Sequence, residues 1–303
     1  RKSTFASAAK SDSLATLHWL HHINCPWDAN ATDNAAASGN LSMLKWLIQA
    51  GCPYETYIYH SAAAAGHIHI LDWAKENNLE WEYQLESTTI CNAATSNGHI
   101  AVLQWAHQNH APWSANTTTC AADNGQFATL RWLYANGCPI TPGILFHLSP
   151  HLNLDIMIWA RANNIPWNSA VTYHAAKENR LDILTWAHDN GCPPHASVFE
   201  AAAQNGHHDI LIWARQHNYP MTALACTLAT ISGHFNILIW LRQNNCPWDE
   251  TVGEYASHHG NIPILNWLHQ NNYPWMHIAH SYAINSHNFD SVQWANENPT
   301  LAK

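Results

Sequence analysis

Seventeen tryptophans fall on two places of one period, and that spacing constrains the fold more than any other feature of the 303 residues. Eleven of them (Trp19, Trp46, Trp73, Trp105, Trp132, Trp159, Trp186, Trp213, Trp240, Trp267 and Trp294) are 27 residues apart, except for the 32 between Trp73 and Trp105. The other six, Trp27, Trp81, Trp113, Trp167, Trp248 and Trp275, each follow one of these by eight residues. The pentapeptide NCPWD at 24–28 and 245–249 is therefore one corner of the repeat seen twice, with GCPY, APW, IPW, GCPI, GCPP and NYPW as its variants.

Other columns carry the physics. Eleven residues before each first-set Trp stands Ala (Ala8, Ala35, Ala62, Ala94, Ala121, Ala175, Ala202, Ala229, Ala256, Ala283), with Leu148 the exception. Only close passage of another backbone demands so small a residue. Two residues before the Trp is Leu, replaced by Met157 and Val292, and five before is usually Leu, Ile or Phe, so these places and the Trp predict the apolar face of a second helix such as 41–50. An Ala-rich first helix such as 32–38 precedes it, closed by Gly39, Gly66, Gly98, Gly125, Gly206, Gly233 or Gly260. Pro then stops the second helix, and the neighbouring Trp is placed to pack under the next unit. No unit buries both of its helices alone, so the units must stack. The expected fold is all-α: a curved helix-turn-helix repeat solenoid of about eleven units, forming one domain over 1–303. Two irregularities stand out. A five-residue insertion falls at 82–87, and the unit at 141–159 loses its Ala and Gly and gains Pro142 and Pro150, which predicts a weak unit with Pro150 in the turn.

Segments 96–105 (SNGHIAVLQW), 204–213 (QNGHHDILIW) and 35–52 (AAASGNLSMLKWLIQAGC) resemble the ankyrin-repeat pattern AAxxGHxxVxxLLxxGA. The unit departs from that pattern in having 27 residues rather than 33, no TPLH opening, and CPW where the β-hairpin loop would begin. In these respects it is similar to the short, Trp-rich ankyrin-type repeats of large DNA viruses of amoebae and of some protists. The resemblance implies a protein-binding solenoid, and the departures imply reduced hairpins. It also implies that His67, His99, His207 and His234, which follow the turn Gly, bond the backbone of the neighbouring loop.

Composition removes several functions from consideration. A net charge of −9 with 12 Lys and Arg supplies no basic stripe for nucleic acid. No apolar run reaches the roughly 20 residues of a membrane span, and the first residues lack the apolar core of a signal peptide. The expectation is a soluble protein inside a cell, cytoplasmic or nuclear, and in the host if viral. Arg1 stands where a chain usually begins with Met, so the expectation is a processed piece or an artificially cut chain. Of eight cysteines, five (Cys25, Cys52, Cys138, Cys192, Cys246) hold the corner before Pro, and Cys91, Cys120 and Cys226 fall in first helices. Equivalent corners in adjacent units lie beyond disulfide reach and no C-x-x-C occurs, so the thiols read as reduced, small structural residues. The pairs His18/His22 and His147/His151 have i,i+4 spacing but lack the glutamate of HExxH. With no nucleophile elbow, phosphate loop or dinucleotide fingerprint either, neither enzyme activity, metal nor cofactor is expected.

Binding residues belong where the repeat varies. Thirteen residues before the Trp the series runs Asp33, His60, Asn92, Thr119, Phe146, Tyr173, Glu200, Thr227, Glu254 and Ser281. In ankyrin-like stacks the first helices line the concave face, so the resemblance makes this ladder the partner-contact surface. The expected function is a non-catalytic interaction module or adaptor for a protein partner, with no nucleic acid or membrane involved. The alternative is a structural part of a larger assembly, such as a virion or scaffold, joined through end repeats that lack evident polar caps.

Overall fold

The computed structural model describes residues 2–11, 13–55, 57–79 and 90–299; the insertion at 82–87 and Trp81 lie outside them. Among the described residues are twenty-two α-helices, one short 3-10 helix and no strand. The helices form eleven pairs, one per repeat. The molecule divides into two compact units, Arg1–His147 and Leu148–Lys303.

In the first unit the pairs are α1 (Lys2–Lys10) with α2 (Leu14–His22), α3 (Asn30–Ala37) with α4 (Leu41–Gln49), α5 (Tyr57–Ala65) with α6 (Ile68–Glu76), α7 (Ile90–Ser96) with α8 (Ile100–Gln108), and α9 (Ala115–Asp123) with α10 (Phe127–Ala135). Helix α11 (Ile144–Leu148) spans the division. The second unit continues with α12 (Leu154–Ala162), α13 (Ala170–Lys177), α14 (Leu181–Asp189), α15 (Ser197–Asn205), α16 (His208–Gln216), α17 (Ala223–Ile231), α18 (Phe235–Gln243), α19 (Thr251–His258), α20 (Ile262–Gln270), α21 (Met276–Ile284) and α22 (Phe289–Glu297). Every first-set Trp is the sixth residue of a nine-residue second helix.

The second repeat shows why the sequence folds this way. Ala35 and Ala36 are fully buried on α3, and small side chains at these two places let each first helix lie against the next. That packing runs from α1 through α9 and again from α13 through α21. Asn40 starts α4 by accepting the Met43 N–H at 2.8 Å. Met43, Leu44 and Leu47 are then fully buried, while Trp46 is only half-buried.

This corrects the apolar face expected from the Trp and the places two and five before it. From α4 to α20 the buried places are those three and two before the Trp and one after it, with Trp105 buried as well in α8. At 100° per residue these three share one narrow arc, and the Trp and the residue five before it lie on either side. They cover the joints between repeats instead of the middle of the helix.

Each second helix but the last ends on a left-handed residue five places after its Trp: Asn24, Gly51, Asn78, His110, Gly137, Asn164, Gly191, Asn218, Asn245 and Asn272 all have positive φ. The next residue closes the helix. Cys52 donates its N–H to the Leu47 carbonyl at 2.9 Å, and Cys246 does the same to Leu241. That is a helix-ending motif in which the closing residue is normally apolar, and here it is Cys, Leu, Ala, Ile or Tyr. In NCPWD, Asn makes the left-handed turn, Cys plugs the helix end and Pro leads the chain away.

The sixth repeat departs from the pattern. Helix α11 has five residues and tightens into a 3-10 turn, Ser149–His151, containing Pro150. Pro150 thus lies in the 3-10 turn that leads into the second helix, two residues before the left-handed place. Lacking an N–H, it cannot continue the α-helical ladder, and Leu152 at φ 47° takes the left-handed place that Gly fills elsewhere.

Candidate protein-interaction surface

The histidines after the turn Gly are spent on stacking. His67 Nε2 donates to the Ala37 carbonyl at 3.1 Å, His99 to Ala64 at 3.0 Å and His207 to Lys177 at 2.8 Å. Each bond ties a repeat to the end of the preceding first helix. The ring also explains the Gly: a Cβ on Gly39, whose φ is 73°, would lie 2.7 Å from the His67 ring. The i,i+4 histidines are engaged elsewhere. His18 stacks on Trp46 at 4.5 Å, and His147 Nδ1 is hydrogen-bonded to Asp123 Oδ1 at 2.7 Å. Among the described residues no group of three or more His, Cys, Asp or Glu is placed to hold a metal.

The tryptophans form joints on the second-helix side. Four second-set tryptophans meet the next first-set Trp edge to face: Trp27 with Trp46, Trp113 with Trp132, Trp167 with Trp186, and Trp248 with Trp267, at 5.7–6.3 Å. A side chain six residues earlier covers its other face, His21 on Trp27, His107 on Trp113, Arg161 on Trp167 and Arg242 on Trp248. Such ring and cation contacts contribute about 0.5–1.5 kcal/mol each. The residue preceding one first-set Trp reaches the next: Asp72 accepts from Trp105 Nε1 at 2.6 Å, and Asn266 from Trp294 Nε1 at 2.7 Å. This side of the array is largely occupied by its own packing.

The corner thiols are donors as well as plugs. Cys52 donates to the Asp28 carbonyl, Cys138 to Ser114 and Cys246 to Thr222, at 3.4–3.5 Å. Tyr273, at the same place in the tenth repeat, gives its hydroxyl to the equivalent Asp249 carbonyl. Burial pushes the thiols of Cys52 and Cys192 up to about 11 and those of Cys91 and Cys138 to about 12.

The varied ladder sits on the first helices, two residues ahead of the buried Ala. Phe146 and Ser281 are exposed, and Asp33, His60, Thr119, Tyr173, Glu200 and Glu254 are part-exposed. Asn92 and Thr227 are a correction: both are buried, at 5% and 4% exposure, and so leave the accessible surface. Their polar groups are used inside the stack, Asn92 accepting from Thr117 at 2.8 Å and Thr227 paired with Thr251 at 2.6 Å. Glu200 accepts from Thr222 at 2.8 Å, and Glu254 faces His258 at 3.9 Å. Asp33 Oδ1 and His60 Nδ1 are buried atoms with no hydrogen-bond partner among the described residues. Burial, with Glu55 and Asp28 nearby, pushes the Asp33 carboxyl up to about 6. The column's variability could be read from sequence, but the burial of two of its members could not, because neither Asn nor Thr announces an inward side chain.

Residues 59–107, which span the third and fourth helix pairs, match the family model described as ankyrin repeats (many copies). No curated protein matches the chain. Among solved structures, the chain is similar to the pentatricopeptide repeat protein PPR10 in complex with an 18-nt psaJ RNA element, at 10% identity and TM-score 0.48, over 92% of this chain and 50% of that one. It is also similar to PPR10 from maize, at 11% identity and TM-score 0.37, over 96% and 56%. The chain thus spans about half the length of those proteins. No helix among the described residues is long and apolar enough to cross a membrane.

Proposed function

We propose that the array is a non-catalytic protein-interaction module, an adaptor that seats one protein partner along the first-helix ladder. The supporting observation is the contrast between adjacent places on the same helices. The Ala column is buried and nearly invariant, whereas two residues earlier the exposed or part-exposed side chains run through Asp, His, Thr, Phe, Tyr, Glu and Ser. Repeats that must stack alike differ most where side chains reach the surface. The 27-residue register continues through the division at 147/148, which supports treating 1–303 as one array. Asp33, Glu200 and Glu254 on the ladder, in a chain of net charge −9, favour a partner segment with basic or hydrogen-bond-donor groups. The ankyrin-repeat match supports the same reading, and the reduced corner thiols fit a compartment inside the cell.

The test is affinity capture with the full chain beside a Tyr173→Ala, Glu200→Ala, Glu254→Ala variant whose melting is unchanged. Retention of one protein by the parent chain, lost with the variant and weakened by salt, supports the adaptor. Equal retention by both sinks it.

A second reading, a structural element that self-associates through its end repeats, draws on Trp19 and Phe289, which are 61% and 79% exposed in the first and last repeats. Sedimentation equilibrium separates the two: an array that stays monomeric at micromolar concentration is no self-assembling element.

A further inference from the structure

Within a repeat, the residue fourteen places before the first-set Trp reaches the corner that ends the same repeat. Thr32 and Thr118 donate to the Pro53 and Pro139 carbonyls, at 3.4 and 2.8 Å, and Tyr59 donates to the Leu79 carbonyl at 3.1 Å. In the tenth repeat the Gly253 N–H donates to the Tyr273 hydroxyl, and a Cβ on Gly253 would lie 2.9 Å from the Tyr273 ring. The two places thus face each other. Thr opposes Cys52, Cys138 and Cys192, and Cys91 opposes Ala111. In the ninth repeat alone both places hold cysteine, Cys226 and Cys246.

Both side chains are fully buried, at the two places that meet directly in the tenth repeat. Cys246 Sγ also donates to the Thr222 carbonyl at 3.4 Å. Arg242, held over Trp248 at 4.0 Å, donates to the Cys246 carbonyl and sets its guanidinium beside the pair. We propose that Cys226 and Cys246 form a disulfide within the ninth repeat under oxidising conditions, making this repeat a redox-sensitive modification site.

The co-reactant is a low-molecular-weight disulfide such as oxidised glutathione, which reaches the pair when the corner opens locally. The Cys246 thiolate attacks one sulfur, releasing one glutathione thiolate and leaving a mixed disulfide. Deprotonated Cys226 then attacks the Cys246 sulfur and expels the second glutathione. Two protein thiols lose two protons and two electrons, and one glutathione disulfide becomes two thiols. The neighbouring Cys226 thiol, and then the Arg242 charge, lower the proton affinity of Cys246, so Cys246 is the attacking group, while the same neighbourhood and burial raise Cys226. The bond fastens α17 to the corner leading into α19, across the Thr227–Thr251 pair between ladder residues Glu200 and Glu254.

The experiment incubates the full native chain in glutathione buffers graded from reduced to oxidised. Acid quenching, thiol blocking, trypsin digestion and mass spectrometry follow. The expected product is one cross-link between tryptic peptides 216–242 and 243–303, reversed by dithiothreitol, absent in Cys226→Ser and retained in Cys91→Ser, with a raised thermal midpoint in the oxidised parent chain. Since the peptide assay needs only the parent chain, a poorly folding variant does not blunt it. The proposal is overturned by a stable glutathione adduct as the end product, by pairing scattered over the other cysteines, or by a cross-link that forms only in denaturant.

Discussion

The second and sixth repeats share one register and make the turn between their helices differently. In the second, Gly39 takes the left-handed place at φ 73°, under the His67 ring, and Ala35 faces the neighbouring first helix. In the sixth, Leu152 is held left-handed at φ 47°, Leu148 fills the Ala place, and a 3-10 turn replaces the end of the helix. Placing a side chain in the left-handed region costs about 1–2 kcal/mol, a strain the second repeat avoids. A repeat tolerates this when its buried apolar volume is retained, and Ile144, Leu145 and Leu148 are all fully buried. The turn is thus the negotiable part of the unit, and the buried stripe is not.

The largest expected effect is on that stripe. Leu148→Ala should cost about 2–5 kcal/mol by opening a cavity, read as a lowered denaturation midpoint, although it restores the residue found in every other repeat. A neutral result would show the sixth repeat to be loosely packed already. Gly39→Ala should cost about 2 kcal/mol, from strain plus the clash with His67. Leu152→Gly should instead stabilise by about 1 kcal/mol, because it relieves the same strain. Opposite signs at one register position are the sharpest form of the comparison, and equal signs would break it.

His67→Ala should cost about 1 kcal/mol for the lost bond to Ala37, and it should shrink the Gly39→Ala penalty in the double mutant, since the ring no longer obstructs the Cβ. The smallest effect is electrostatic. The Asp33 carboxyl titrates near 6 in the folded chain instead of 3.8, so between those values the native state holds a proton that the unfolded state has lost. Stability should therefore decline as pH rises through that window, and Asp33→Asn should remove the decline and stabilise modestly at neutral pH. A pH-melting series on both proteins reads the difference.

Much of this architecture was legible in the sequence, because the tryptophan spacing leaves little freedom: it placed each Trp in a second helix and the Ala column in the buried spine. The left-handed Asn, Gly or His five residues after each Trp was equally visible, and was missed because NCPWD was read for its Cys and Trp instead of its Asn. The apolar face was misassigned because a half-buried Trp is as hydrophobic as a buried one, and only packing tells a joint from a core. Comparing like places in neighbouring repeats also concealed that Cys226 and Cys246 occupy facing places, which are unlike places within one repeat. At the ladder the column was readable, but the inward turn of Asn92 and Thr227 depends on threonines of the next repeat, Thr117 and Thr251.

The most direct test of the claim that stacking holds each repeat while the turn is negotiable is native-state hydrogen exchange resolved by peptide. The expected result is strong protection of the first helices in every described repeat, including Ile144–Leu148, with the amides of Ser149, His151 and Leu152 exchanging faster than those at the Gly39, Gly66 and Gly206 turns. Uniform protection across all turns, or loss of protection throughout Ile144–Leu148, would contradict it.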